Sequence, residues 1–244
     1  MTCDIVPLSL LMKADPMKKI VVIFPVNNPD ILSQSYLDTY KTDTVDIVLK
    51  YPRTHLDQLL TPQDVAEVLP LVEEAMIEAI REKADAIIMC AFGDVCIHES
   101  NEFDAIPKIG AGRMVVRALT ELAQSKFTIL PSHMSHLSFI EPLIEQEQCH
   151  NYMAAPKAID LDPKDYQNHT EAMECLIISA KAAVDECKVD ALSVGYAGFI
   201  GMGAVLQSEL KKRYDYDVKV LEPLDTALKY QIYQLMAVEN QCWS

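Results

Sequence analysis

Short, continuous apolar runs alternate along this chain with longer stretches of helical period. Ile20-Val21-Val22-Ile23-Phe24 is apolar throughout and stops at Pro25 and the Asn27-Asn28-Pro29 cluster. Continuous rather than alternating apolarity predicts a strand covered on both faces, as in a parallel sheet. Further strands are predicted at 46–49, 86–91, 106–109, 127–130, 191–196 and 218–221. Between them Thr61-Pro62-Gln63-Asp64 opens a helix, with Thr as N-cap and Pro in the first turn. This helix is expected to reach residue 83, kinked or broken by Pro70. Other helices are expected over 113–124, from 132 to about 146, from Asn168 to Cys187, from the glycines after 198 to about 213, and over 226–238. Strands alternating with helices imply right-handed βαβ crossovers, with ligands at the strand C-termini.

Two stretches say nearly the same thing. Lys83-Ala84-Asp85-Ala86-Ile87-Ile88-Met89-Cys90-Ala91-Phe92-Gly93 reads like Lys188-Val189-Asp190-Ala191-Leu192-Ser193-Val194-Gly195-Tyr196-Ala197-Gly198. Ile23 likewise answers to Leu130, so the period is about 105 residues. The expectation is an α/β protein of two pseudo-symmetric three-layer α/β/α lobes with mostly parallel sheets and a site in the crevice between them. Lobe 1 would hold 17–110 plus 215–244, lobe 2 would hold 111–214, and 1–16 would be an N-terminal extension. The alternative is a single open sheet whose strands resemble each other. In the two-lobe reading Ala91 and Tyr196 are the paired tips.

Composition narrows the partners. The 244 residues carry a net charge of −15, which argues against nucleic acid or an anionic membrane surface, because phosphate binding needs clustered Lys and Arg. No window approaches the roughly 18 apolar residues of a membrane helix. The seven cysteines are scattered without CxxC pairs, a pattern that fits reduced thiols and a cytoplasmic protein. The apolar stretch from Ile5 to Met12 lacks a basic start and is read as an extension, not a signal peptide.

This organisation resembles the aspartate/glutamate/hydantoin racemase superfamily, hydantoin racemases in particular. The anchors are Phe24-Pro25-Val26-Asn27-Asn28, Ala91-Phe92-Gly93-Asp94, Ile109-Gly110, Gly195-Tyr196-Ala197-Gly198-Phe199 and Leu221-Glu222-Pro223. The resemblance implies two lobes closing on a small carboxylate or cyclic amide, no cofactor, and one catalytic cysteine from each lobe. At the matched positions stand Ala91 and Tyr196. Thiolates suit carbon-acid racemisation because their pKa lies near working pH; Ala91 has no such group, and an unperturbed tyrosine titrates near ~10. The two-thiol mechanism is excluded at these positions.

Candidates for replacing it are Tyr196 as acid or hydrogen-bond donor, with Asp94, Cys96, His133 or His136 as the other proton-transfer group. Cys90, by strand alternation, points into a core if Ala91 points into the crevice. Ser132 follows a strand end, where the resembling family often places a hydroxyl that holds the substrate carboxylate; the alternative is a helix cap. His133 and His136 are close enough to share a metal, but no third ligand has fixed spacing, and no metal is expected. Gly198, Gly201 and Gly203 lack the G-x-G-x-x-G spacing of dinucleotide sites. They, with Gly110 and Gly112, are expected to let backbone N–H groups approach a carboxylate at a helix N-terminus. The remaining expected ligand contacts are Phe24, Asn27, Ala91, Phe92, Gly93, Ala197, Gly198 and Phe199. Phe24 and Val26, at polar family positions, imply a ligand with an apolar part. The expected function is isomerase-, lyase- or cyclase-type proton transfer on a small-molecule ligand. The alternative is a catalytically inactive relative that binds a ligand or partner. Family members often form dimers or larger assemblies, so the resemblance leaves a homo-oligomer open.

Overall fold

Among the described residues, seven strands form two separate parallel sheets. The first has the order β2-β1-β3-β4, from β1 (Lys18–Ile23), β2 (Val45–Lys50), β3 (Ala86–Met89) and β4 (Lys108–Gly110). The second is β5-β6-β7, from β5 (Phe127–Leu130), β6 (Ala191–Val194) and β7 (Lys219–Leu221). Their helices are α1 (Gln34–Asp38), α2 (Pro62–Arg81), α3 (Ala111–Leu122), α4 (Leu137–Gln146), α5 (His169–Cys187), α6 (Met202–Tyr214) and α7 (Pro223–Gln241). The computed structural model describes residues 17–94, 97, 106–161, 165–166 and 168–241. The expected extension over 1–16 lies outside the described residues.

Each sheet separates two apolar clusters, as continuous apolar runs require. Along β1, Ile20 and Val22 face one cluster while Val21 and Ile23 face the other. Along β6, Leu192 and Val194 face one side and Ala191 the other. The single open sheet is therefore not what this chain forms.

The repeat has a structural cause at the end of the sheets opposite the strand tips. Lys83 and Lys188 both have positive φ, 60° and 56°, and turn the chain from helix into strand. Asp85 then accepts the Lys19 amide at 2.8 Å and donates its own amide to Lys19 O. Asp190 does the same to the start of β5, accepting from Gln124 and Ser125 and donating to Lys126 O. Each Asp locks its strand in register beside the strand one repeat-half earlier.

Two expectations change. Pro70 does not end α2, which is continuous from a Thr61–Asp64 capping box to Arg81. Pro70 and Ala66 both lie on the exposed face, where water can serve the carbonyl left without a donor. The expected boundary at 214 also shifts. β7 pairs with β6 through Lys219–Leu221, so 215–222 belongs with the second sheet, and only α7 crosses back. There Leu224, Ala227 and Leu228 join the core of the first sheet.

The Asp locks carry a prediction. Asp85→Ala, which frees a half-buried amide, and Asp190→Ala, which frees two exposed ones, should each cost about 0.5–1.5 kcal/mol of stability, the net worth of such hydrogen bonds. Denaturant unfolding would show this as a lower midpoint, with ligand affinity of the folded protein unchanged.

Candidate functional site

The strand tips of both sheets open onto one cavity of about 80 Å³. That is well above the ~10–15 Å³ that a single water needs. From the first lobe come Phe24, Pro25 and Val26 after β1, and Cys90, Ala91, Phe92 and Gly93 after β3. From the second come Gly195, Tyr196, Ala197 and Gly198 after β6, and His136, Phe139 and Ile140 at the start of α4. Gln58, Leu59 and Val65, from the approach to α2, complete the wall. The paired tips Ala91 and Tyr196 thus share one cavity.

The residues just beyond the tips hold the lobes together. Phe92 is buried in the core of the second sheet with Phe127, Ile129 and Leu143. Ala197 is buried in the core of the first with Phe24, Ile88 and Leu224. Each lobe therefore inserts a residue into the other. Gly112 makes the approach possible: a Cβ there would lie 1.8 Å from Phe92 O. Gly195 serves the second sheet itself, where a Cβ would lie 2.7 Å from Leu130 O, the acceptor of its own amide.

Tyr196 rests on an aromatic bed. Its ring centroid lies 4.9 Å from that of Tyr166 and 5.1 Å from that of Phe199, and its edge sits where a Gly198 Cβ would be. Burial, then the neighbouring Tyr166, pushes its pKa well above the ordinary tyrosine value, so it stays a neutral O–H donor. No described residue hydrogen-bonds this hydroxyl. His136 is buried in a short 3₁₀ turn, with Nδ1 2.7 Å from Ser132 Oγ and its ring against Phe139. Burial, followed by the charge of His133, lowers its pKa from the usual 6.5 and favours the neutral imidazole. Cys90 is fully buried in the first core, and burial drives its pKa up, so it remains a thiol.

No lysine or arginine is among the described residues that line the cavity. The nearby helix N-termini, which would otherwise attract an anion, are occupied by the chain's own carboxylates. Asp94 takes the Gly112 and Arg113 amides, both at 2.8 Å, on its two oxygens. Glu222 takes the Gly203 amide at 3.3 Å, and Asp64 takes those of Leu60 and Thr61. The Arg113 guanidinium turns away to Glu147, which also holds Arg117 at 2.6 Å. The glycines expected to cradle a ligand carboxylate at Gly110–Gly112 and Gly201–Gly203 instead admit these internal ones. A Cβ at Gly110 would sit 1.9 Å from Asp94 Cγ.

Of the residues expected at the site, Phe24, Ala91, Phe92, Gly93, His136, Tyr196, Ala197 and Gly198 meet at the cavity. Others take supporting places. Asp94 is buried beneath α3, where burial pushes its carboxyl up to about 7 against the pull of two amide donors. Ser132 is completely buried behind His136, and Phe199 behind Tyr196. His133 is exposed, its Nδ1 held by Ser135 at 2.9 Å. Asn27 is exposed and its amide donates to Leu56 O at 3.0 Å; the buried neighbour is Asn28, bonded to Asp57 O. Cys96 lies outside the described residues.

Sequence reasoning did not single out Gln58, Leu59, Val65, Phe139 or Ile140. A signal existed for the last two, since His136, Phe139 and Ile140 share one helix face just after a strand end.

The sequence profile of the Asp/Glu/Hydantoin racemase family matches residues 39–230. The chain belongs to this family. A hydantoin racemase from Paenarthrobacter aurescens is 26% identical over 162 residues, 65% of this chain and 65% of that relative's length. Among solved structures, allantoin racemase from Klebsiella pneumoniae superposes with a TM-score of 0.80 at 22% identity, covering 91% of this chain and 89% of that one. Glutamate racemase from Francisella tularensis, solved in complex with D-glutamate, gives a TM-score of 0.63 at 15% identity, with 92% and 82% covered. These likenesses establish the two-lobed racemase fold. Among the described residues no helix is long and apolar enough to cross a membrane.

The site's electrostatics predict a pH dependence. A histidine whose folded pKa lies below its unfolded value opposes folding once the unfolded chain takes up the proton. Its neutral-form advantage is complete above pH 6.5 and is lost as pH falls towards the folded pKa. His136→Gln should therefore flatten the acid-side loss of stability below pH 6.5, read from unfolding curves across pH. Asp94→Asn sets an amide donor against one of the two backbone donors and should cost about 1.5–3 kcal/mol. A lower thermal midpoint is the measurement.

Proposed function

We propose that this chain is a racemase-family enzyme that binds a small, neutral cyclic amide with an apolar substituent between its lobes. It carries out isomerase-, lyase- or cyclase-type proton-transfer chemistry without a cysteine pair. The observation that carries this reading is the placing of Tyr196 and His136, both neutral and hydrogen-bonding, in one uncharged cavity at the facing strand ends, whose other polar side chains are Gln58 and the Cys90 thiol.

Of the two ligand classes that the family brings to mind, carboxylate and cyclic amide, the lining favours the second. A carboxylate bound here would be desolvated without a cationic side chain, and burying an unpaired charge is far costlier than burying an amide that finds partners. Asp64, Asp94 and Glu222 already occupy the helix N-termini that would stabilise it. A cyclic amide meets the cavity on its own terms: its carbonyls accept from Tyr196 Oη and His136, and its substituent packs on Phe24, Phe92 and Phe139. The resemblance to a hydantoin racemase points the same way. Ala91 and Tyr196 stand at the tips where the family places its thiols, so neither the acid nor the base of the present reaction is a tip cysteine. Cys90, held as a thiol by burial, does not replace them.

A second reading is a binding protein that has lost catalysis. Its support is the same loss at the tips, together with a cavity whose polar groups are mostly donors.

Benzylhydantoin and hydrocinnamate, compared by titration calorimetry, test the ligand class. The hydantoin should bind and the carboxylate should not. Tyr196→Phe and His136→Gln should each weaken hydantoin binding about tenfold, the worth of one hydrogen bond of ~1.4 kcal/mol. Exchange of the ring C–H in heavy water, followed by proton NMR, tests catalysis. Binding without exchange establishes the second reading; preference for hydrocinnamate refutes the neutral-ligand assignment.

A further inference from the structure

Ser132 is completely buried, and its hydroxyl touches only one hydrogen-bonding group among the described residues, His136 Nδ1 at 2.7 Å. A hydroxyl has one proton to give and lone pairs to offer. If Nδ1 carried the ring proton, the serine would accept it, and the serine's own buried proton would have no acceptor. If Nδ1 is bare, the serine donates to it and every buried N–H and O–H at this contact is satisfied. A buried donor left unmade carries the full cost of its desolvation. The Ser132 side chain does not reach the cavity, whereas His136 lines it. Nδ1 is therefore the inward edge of the ring, and Nε2 is the nitrogen available to a ligand.

We infer that Ser132 is a positioning residue that donates to His136 Nδ1 and holds the ring proton on Nε2, so that the imidazole meets the incoming ligand as a hydrogen-bond donor. The inference rests on the neutral-ligand reading for its functional meaning, but not for its geometry. A neutral imidazole presented this way polarises a carbonyl and stabilises charge that develops on its oxygen. With Tyr196 Oη across the same cavity, the site offers two O–H or N–H donors to one small ring. That pair selects ligands carrying two carbonyl-type acceptors and an apolar edge. The other group near the ring, His133, lies with its centroid 6.4 Å away and its Nδ1 engaged by Ser135, so it does not compete for Nδ1 of His136. The lowered pKa of His136 agrees with a ring kept neutral in this setting.

The test is nitrogen NMR of the full chain with isotope-labelled histidine, the His136 signals being assigned by their absence in His136→Gln. At neutral pH the unliganded wild type should show Nε2 protonated and Nδ1 bare. Ser132→Ala should move both nitrogens towards tautomer-averaged shifts and weaken benzylhydantoin binding about tenfold. Ser132→Thr, which keeps the hydroxyl, should restore the tautomer and most of the affinity. A protonated Nδ1 in the wild type, or an unchanged tautomer in Ser132→Ala, would overturn the inference. The tautomer is read without ligand. It can therefore fail while Tyr196 still binds the ring, and it can hold even if the chain binds no hydantoin.

Discussion

The exchange of one side chain between the two cores is the constraint on which the rest of this structure depends. Phe92 leaves the first sheet and is buried against β5 and α4; Ala197 leaves the second and is buried against β1, β3 and α7. Because each lies one residue past a tip, the exchange brings Ala91 and Tyr196 to the same cavity. Burial of an aromatic side chain contributes on the order of 2–3 kcal/mol, so this contact binds the lobes as well as aligning them. Gly112 follows from it, since a side chain there would collide with the Phe92 backbone that the exchange brings close.

The same packing explains why the cavity is uncharged. Bringing the 92–94 turn onto α3 places Asp94 at that helix's N-terminus, and the crossing of α7 brings Glu222 to that of α6. Positive dipole ends that open α/β folds commonly turn towards ligands are thereby used internally. What remains for a ligand is a phenol, an imidazole, the Gln58 amide and aromatic walls. In an apolar cavity such neutral donors are worth more than they would be in water, because competition from solvent is removed. The chemistry proposed for this site therefore rests on hydrogen bonding and on shape more than on charge.

The Asp-Ala repeat shows how a motif can be read for the right fold and a different reason. The repeat marks two half-structures, and its Ala91 and Tyr196 ends do meet. Its aspartates, however, work at the far end of the sheets, tying Asp85 to Lys19 and Asp190 to the start of β5. The Gly-Asp turn at 93–94 likewise reads as a site element and acts as a cap. In both cases a carboxylate that is legible in the sequence has a partner many residues away, and nothing local names that partner.

Local order was written in the sequence alone: continuous apolar runs for doubly covered strands, Thr61 and Asn168 for helix starts, and a period near 105 for two lobes. So were the tips, because strand C-termini of parallel sheets converge on one side. These features follow from short-range sterics and from the burial of periodic apolar faces, which one segment at a time can express. Which polar group faces the cavity was decided only by tertiary structure. Asn27 turned outward while Asn28 was buried, Ser132 was placed behind His136 rather than before the ligand, and Gln58 and Leu59 arrived from a segment with no motif. Those outcomes depend on how loops from two lobes pack and which hydrogen bonds they can close. Such long-range contacts exist only once both cores have formed.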